Sequence, residues 1–144
     1  MVAPERVLLV DDEVEFLEAL AERMRTRGLD VETATNGPDA IELARRSTFD
    51  AVVLDLAMPG MDGLETLRLL LADHPDLQVM LLTGQGTVRT AVEATRLGAI
   101  DVFEKPTDVT TLVARIREAR AARLAREDRR TQEEIEQILR SRGW

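Results

Sequence analysis

The stretch Arg6-Val7-Leu8-Leu9-Val10-Asp11-Asp12-Glu13 decides how the chain is read: a short apolar run stops abruptly on two adjacent carboxylates. The pattern recurs. Ala51-Val52-Val53-Leu54 ends in Asp55, Val79-Met80-Leu81-Leu82 ends in Thr83-Gly84, and Ile100-Asp101-Val102-Phe103 leads through Glu104 into Lys105-Pro106. Apolar runs of this length, alternating with helical patterns, read as buried parallel strands. In such sheets, sites form outside the carboxyl ends of the strands, where the strand order reverses. Polar groups from four runs are therefore expected to meet in one place.

Between the runs, Val14, Leu17, Leu20, Ala21 and Met24 follow helical spacing over roughly Glu13–Arg27 and stop at Gly28, a residue suited to a left-handed helix terminus. Asp30–Ala34 reads as a more polar strand nearer an edge. Asn36-Gly37-Pro38 opens a second helix, and Asp50–Asp55 is the most apolar strand. The loop Leu56–Gly63 contains Met58-Pro59-Gly60, and Asp62 with Glu65 suggests a capping box for a third helix. Gln78–Thr83 and Ala99–Phe103 read as strands four and five, separated by a helix ending at Gly98. Thr107 or Asp108 caps a fifth helix with Val109, Leu112, Val113 and Ile116 inward. Strand–helix alternation with short loops implies an α/β fold, a doubly wound five-stranded parallel sheet of flavodoxin-like order 2-1-3-4-5. An extended C-terminal helix is expected to follow, with Ala121–Asp128 as its Arg-rich, solvated continuation. The apolar patch Ile135, Ile138 and Leu139 comes later, and the heptad pattern does not support a long coiled coil.

Composition narrows the chemistry. The 144 residues carry a net charge of −8, which argues against general binding to a phosphate backbone. Arg120 onward holds seven arginines and five acids, so this tail is near +2 and the remainder near −10. Without cysteine there are no disulfides or thiolate metal sites. The sequence shows neither a signal peptide nor a long apolar span, so a soluble, cytoplasmic protein without membrane contact is expected.

Strands one and three are neighbours in the expected order, so Asp11, Asp12 and Asp55 converge. Two ionised carboxylates 4 Å apart repel by about 4 kcal/mol at an effective dielectric near 20. Either one protonates or a cation neutralises the cluster. With oxygen ligands only, that cation is hard: Mg2+ or Mn2+. His74, the only histidine, falls at the opposite end of the sheet. A metal beside a carboxylate, Lys105 and the Thr83 hydroxyl suggests phosphoryl transfer, with Asp55 as nucleophile and Gly84 leaving room for the incoming group. Taken singly, each acid could instead be a helix or loop cap; four elements meeting at one edge weigh against that.

Leu8-Leu9-Val10-Asp11-Asp12-Glu13, Leu54 through Gly63, Leu82-Thr83-Gly84 and Glu104-Lys105-Pro106, in this order, resemble a receiver domain of two-component response regulators. The match runs from about Arg6 to Ile116 and is closest in pattern to receivers of enhancer-binding transcriptional activators. The resemblance implies residues 1–120 as receiver domain and 121–144 as a charged helical extension or linker. It implies that Asp55 accepts a phosphoryl group from a sensor histidine kinase or phosphotransfer protein. Asp12, Asp55 and the Ala57 backbone carbonyl would ligate the metal, with Asp11 holding a metal-bound water. Thr83 and Lys105 would contact phosphoryl oxygens, and Lys105-Pro106 would be a cis peptide. Switching would involve helix 4, strand 5 and helix 5. Arg89, Glu93, Arg96, Asp101, Arg115 and Glu118 would supply charged pairs there, and homodimerisation through that face is a further expectation.

One position departs from the family. An aromatic residue or histidine often stands three residues before the lysine, and here that position is Val102; Phe103 points to the opposite sheet face as a core aromatic. Two other functions fit the sequence less well. An aspartyl phosphatase usually carries a second carboxylate two residues after its nucleophile, where this chain has Ala57. That favours an acceptor with slow self-hydrolysis over a turnover enzyme. A nucleotide or flavin binder would need a glycine-rich loop where Asp11-Asp12-Glu13 stands.

Overall fold

The computed structural model describes residues 3–58, 62–84 and 88–143. Ten elements alternate: β1 (Arg6–Val10), α1 (Val14–Thr26), β2 (Asp30–Ala34), α2 (Gly37–Arg46), β3 (Ala51–Asp55), α3 (Gly63–Asp73), β4 (Val79–Thr83), α4 (Val88–Leu97), β5 (Asp101–Glu104) and α5 (Val109–Ser141). The strands form one parallel sheet in the expected order β2-β1-β3-β4-β5. The polar strand β2 is indeed an edge.

Alternation along each strand explains why the central runs are apolar throughout. Val7, Leu9, Val53, Met80 and Leu82 face Leu17, Leu20 and Met24 of α1 and Leu112, Val113 and Ile116 of α5. Leu8, Val10, Val52, Leu54, Val79 and Leu81 face Ala40 and Ile41 of α2, Leu67 and Leu70 of α3, and Ala94 of α4. With both faces covered, a polar group on β1, β3 or β4 reaches solvent only at a strand end.

The helix boundaries follow local chemistry. Asn36 accepts from the Asp39 amide at 2.8 Å, Asp62 from Glu65 at 2.8 Å, and Asp108, rather than Thr107, from Thr110 at 3.0 Å. The reciprocal arm of the expected capping box is not what Glu65 makes; its carboxylate faces Arg68 at 3.6 Å. Gly28 ends α1 at φ +90°, and Leu29 N–H closes back on the Met24 carbonyl.

Strand five differs from the sequence reading. It spans Asp101–Glu104 rather than Ala99–Phe103, because the Ala99 amide is used in terminating α4, bonding to the Ala94 carbonyl at 3.0 Å. The expected Pro59 and Gly60 of the loop after β3, and the segment 85–87 after β4, lie outside the described residues.

The last helix also runs further than the solvated continuation expected to Asp128: α5 is a single helix of 33 residues, about 50 Å long at 1.5 Å per residue. Its first half is held by the apolar stripe Val109, Leu112, Val113, Ile116 and Ala119. Charge then takes over. Arg117 pairs with Glu5 at 2.7 Å, Arg123 with the buried Asp50, and Arg130 with Asp76 at 3.2 Å. Beyond Arg130 the helix is exposed, with Ile135 and Ile138 at 51% and 53% of full accessibility.

Candidate phosphoryl site

The register of the sheet assembles the site. Val10 lies opposite Leu54, Asp55 opposite Leu82, and Thr83 opposite Glu104. The residues that follow these rungs, Asp11, Asp55, Thr83 and Lys105, therefore crowd one edge, as expected. The Lys105 amide donates to the Thr83 carbonyl at 2.8 Å, tying the two together through the backbone. Lys105-Pro106 is a cis peptide.

Asp11 and Asp55 are each 3% exposed, and Asp12 is half-buried. The Lys105 Nζ lies 2.6 Å from Asp11 Oδ2, 3.4 Å from Glu13 Oε1 and 3.6 Å from Asp55 Oδ2. Two backbone amides orient the carboxylates: Glu13 N–H donates to Asp11 Oδ1 at 2.9 Å and Ala57 N–H to Asp55 Oδ1 at 3.2 Å. The Ala57 residue itself is exposed at the rim. At Gly84 the nearest atom to an imagined Cβ is Lys105 Cδ at 3.9 Å, so open space adjoins the lysine stem.

Gly63 is needed for a different reason. A Cβ there would sit 2.4 Å from Leu56 Cα and 2.5 Å from the Asp55 carbonyl oxygen. The start of α3 thus rests directly on the backbone leaving β3, and Gly63 N–H donates to the Leu56 carbonyl at 3.1 Å. This contact fixes the exit path that carries Ala57 past Asp55.

The electrostatics are those of a crowded anionic pocket. Burial pushes the Asp55 carboxyl up; the Ala57 amide opposes this, Asp11 raises it further, Lys105 lowers it, and Asp12 raises it again, leaving it above the usual carboxylate range. Burial alone would lower Lys105, but its hydrogen bond and charge contact with Asp11, then Asp55 and Glu13, hold it above the ordinary lysine value. One carboxylate oxygen each from Asp11, Asp12 and Asp55 lie within 4.8 Å of one another. An all-oxygen donor set of three carboxylates that repel one another, only partly neutralised by a single ammonium, fits a hard divalent cation.

Two neighbours of Lys105 escaped the sequence reading. Glu13 stands in the sequence only as the end of the Asp11-Asp12-Glu13 motif. Phe16, in the first turn of α1, places its ring 4.5 Å (centroid) from Lys105 Nζ. Phe16 adjoins the stripe Leu17, Leu20, Ala21 and Met24, so only its being the sole aromatic of the helix could have drawn attention. Val102 and Phe103 face opposite sides as expected: Phe103 packs with the α1 and α5 cluster, Val102 with that of α3 and α4. Asp101 pairs with Arg115 at 3.1 Å and Arg115 with Glu118 at 3.7 Å, two of the expected charged contacts on the β5–α5 face. No helix among the described residues is long and apolar enough to cross a membrane.

Known proteins resemble this chain in sequence and fold. Residues 7–117 match the response regulator receiver domain family. Over 115 residues, 80% of the chain, 38% are identical to the transcriptional regulatory protein ZraR of Klebsiella oxytoca, of which the match covers 26%. Over 112 residues, 78% of the chain, 39% are identical to the response regulator MprA of Mycobacterium leprae, of which it covers 49%. The chain thus spans about a quarter to a half of these curated relatives. A crystal structure of a Burkholderia pseudomallei response regulator with a phosphorylated aspartic acid, calcium ion and citrate superposes with a TM-score of 0.75 at 27% identity, covering 96% of this chain and 86% of that one. The family match and the sequence identity agree with the sheet order, and the chain belongs to the response regulator receiver domains of two-component signal transduction.

Proposed function

We propose that Asp55 is the phosphoacceptor, taking a phosphoryl group from a phosphohistidine of a sensor kinase or phosphotransfer protein. The observation that carries this reading is the contact of Lys105 Nζ with both Asp11 and Asp55, at 2.6 and 3.6 Å, inside a triad of acids. An Asp55 carboxylate oxygen attacks phosphorus, the phosphorus–nitrogen bond of the donor breaks, and an acyl phosphate forms. Asp12, Asp55 and the Ala57 carbonyl would hold Mg2+ or Mn2+, with Asp11 through a water. The ion would supply neutralising charge for the phosphoryl oxygens. Lys105 and Thr83 act on the same oxygens, the ammonium shifting from Asp11 toward the new group. Water later cleaves the acyl phosphate, slowly, since Ala57 offers no acid or base beside it.

The phosphoryl group adds about −1.5 to −2 charge at neutral pH. The readout surface is α4, β5 and α5, with the Asp101–Arg115–Glu118 contacts as part of the element that responds and as a face for homodimerisation. Val102 lies on the Thr83 side of β5, so movement of Thr83 reaches α4 through aliphatic packing instead of an aromatic rotamer. Residues 1–120 would form the receiver and 121–144 a charged helical extension or linker, in a cytoplasmic protein that makes no membrane or direct nucleic-acid contact through this segment.

Incubation with acetyl phosphate and Mg2+, followed by intact mass, tests the acceptor. One phosphoryl adduct is expected on the wild type and none on Asp55→Asn. An unmodified wild type, or an equal adduct on the variant, overturns the assignment.

A further inference from the structure

Lys105 is surrounded by groups of unlike kind. Three are carboxylates: Asp11, Glu13 and Asp55. The fourth is the face of Phe16. The carboxylates are not equivalent. Asp11 and Asp55 are buried, whereas the Glu13 side chain is 65% exposed and lies on the way out to solvent. The two buried acids are also the ones that a divalent cation would engage in the proposed function. When their charge is shared with a cation, their hold on the ammonium weakens, and the exposed Glu13 becomes the stronger competitor. Among the described neighbours that sit inside the pocket, the ring's attraction for the ammonium does not depend on that sharing, because it arises from the quadrupole of the aromatic face, and it opposes the outward pull of Glu13.

We propose that Phe16 is a positioning residue for Lys105, a neutral aromatic seat that keeps the ammonium over the acidic edge when a cation engages Asp11 and Asp55. The proposal rests on the phosphoryl reading for its consequence, but not for its geometry. Phe16 is well supported for such a task. It stands in the first turn of α1, directly after Glu13, whose amide is held by Asp11, and it packs against the cluster built on Leu17, Leu20 and Met24. Ring and ammonium are therefore anchored to the same short segment as the acids. A leucine would fill part of the volume without offering a π face. The Lys105 side chain would then turn outward toward Glu13, and phosphoryl transfer would lose a fraction of its neutralising charge.

Two readouts test this on the intact chain. In the NMR spectrum the Lys105 ε-methylene protons should be shifted upfield by the ring. The shift should vanish in Phe16→Leu and persist in Phe16→Tyr, with and without Mg2+. Unshifted protons in the wild type, or a shift that survives Phe16→Leu, would overturn the seat. The second readout is the rate of adduct formation from acetyl phosphate with Mg2+. Phe16→Leu should slow uptake about three- to tenfold, the size of a cation–π contact between the exposed and the fully desolvated limits, and Phe16→Tyr should restore it. Because Phe16→Leu also alters core packing, Phe16 replaced by mono-, di- and trifluorinated phenylalanine keeps the shape while draining the ring. Uptake should fall stepwise with fluorination, and a flat series refutes positioning. A wild type that forms no adduct at all refutes the acceptor assignment instead, and the methylene shifts then decide the seat alone.

Discussion

Gly63→Ala is expected to damage both stability and phosphoryl uptake, through one contact. The added Cβ would lie 2.4 Å from Leu56 Cα and 2.5 Å from the Asp55 carbonyl oxygen. Carbon atoms in good contact sit about 3.5–4.0 Å apart, so a gap of roughly 1 Å must open. Neither neighbour can rotate away, because both are backbone. Either α3 lifts from the sheet or the segment leaving β3 bends. Overpacking of this kind costs about 1–3 kcal/mol, and the Gly63–Leu56 hydrogen bond of 3.1 Å contributes about 1 kcal/mol more if it breaks. A total near 3 kcal/mol corresponds to a fall in Tm of roughly 6–12 °C for a domain of this size. The same displacement moves Ala57, whose amide holds Asp55 Oδ1 at 3.2 Å, so uptake from acetyl phosphate should slow even at temperatures where the variant is folded. Gly28→Ala is the control. Gly28 has φ +90° but nothing within 4 Å of its imagined Cβ, so it should lose only the conformational term, about 1–2 kcal/mol. Thermal and urea unfolding measure both. If Gly63→Ala melts within a degree of wild type, or no lower than Gly28→Ala, the close approach does not have the role assigned to it.

Lys105→Ala should bind Mg2+ more tightly, on the order of tenfold, since a cation no longer competes for the acids; calorimetric titration showing equal or weaker binding would contradict the crowding described. Asp50→Ala removes the partner of Arg123 and the acceptor for the Arg6 amide at 2.8 Å. Because Asp50 is buried, a loss of about 1.5–3 kcal/mol is expected in urea unfolding, and an unchanged midpoint would show that α5 is held by its apolar stripe alone. The Asp76 carboxyl is held below the usual range, first by its hydrogen bond with Arg130 and then by Arg130's charge. A lowered folded value means that the pair's contribution is present above the unfolded value of about 3.9 and fades as pH falls through the lower folded one. In Arg130→Ala the Asp76 titration followed by NMR should move up to the ordinary range, with neutral-pH stability nearly unchanged because the pair is on the surface. A titration unaffected by Arg130→Ala would mean that α5 does not dock there.

The strand ends were readable in the sequence because burial on both faces forces β1, β3 and β4 to be apolar until they emerge. Asp11, Asp55 and Thr83 mark those exits, and the parallel order brings them together with Lys105. What was misread depended on groups that sequence patterns do not record. Ala99 looks like strand but serves the end of α4. An extended C-terminal helix was expected, but its course past Asp128 left little trace because no strong apolar residue appears between Leu124 and Ile135. Arg117, Arg123 and Arg130 hold the helix to acids far away in the chain. Phe16 was hidden for the same reason: its partner is 89 positions distant, and a cation over a ring leaves no periodic trace.

The unbroken α5 makes angle as important as distance. Each residue of an α-helix turns its successor by about 100°, and the Arg123–Asp50 and Arg130–Asp76 contacts set the zero of that rotation against the sheet. One residue inserted after Arg130 would leave both contacts intact and swing Ile135, Ile138 and Leu139 about a quarter turn. Seven would return them to within about 20°. The far end of α5 is thus indexed to the sheet like a key on a shaft, and changes of length there are changes of phase.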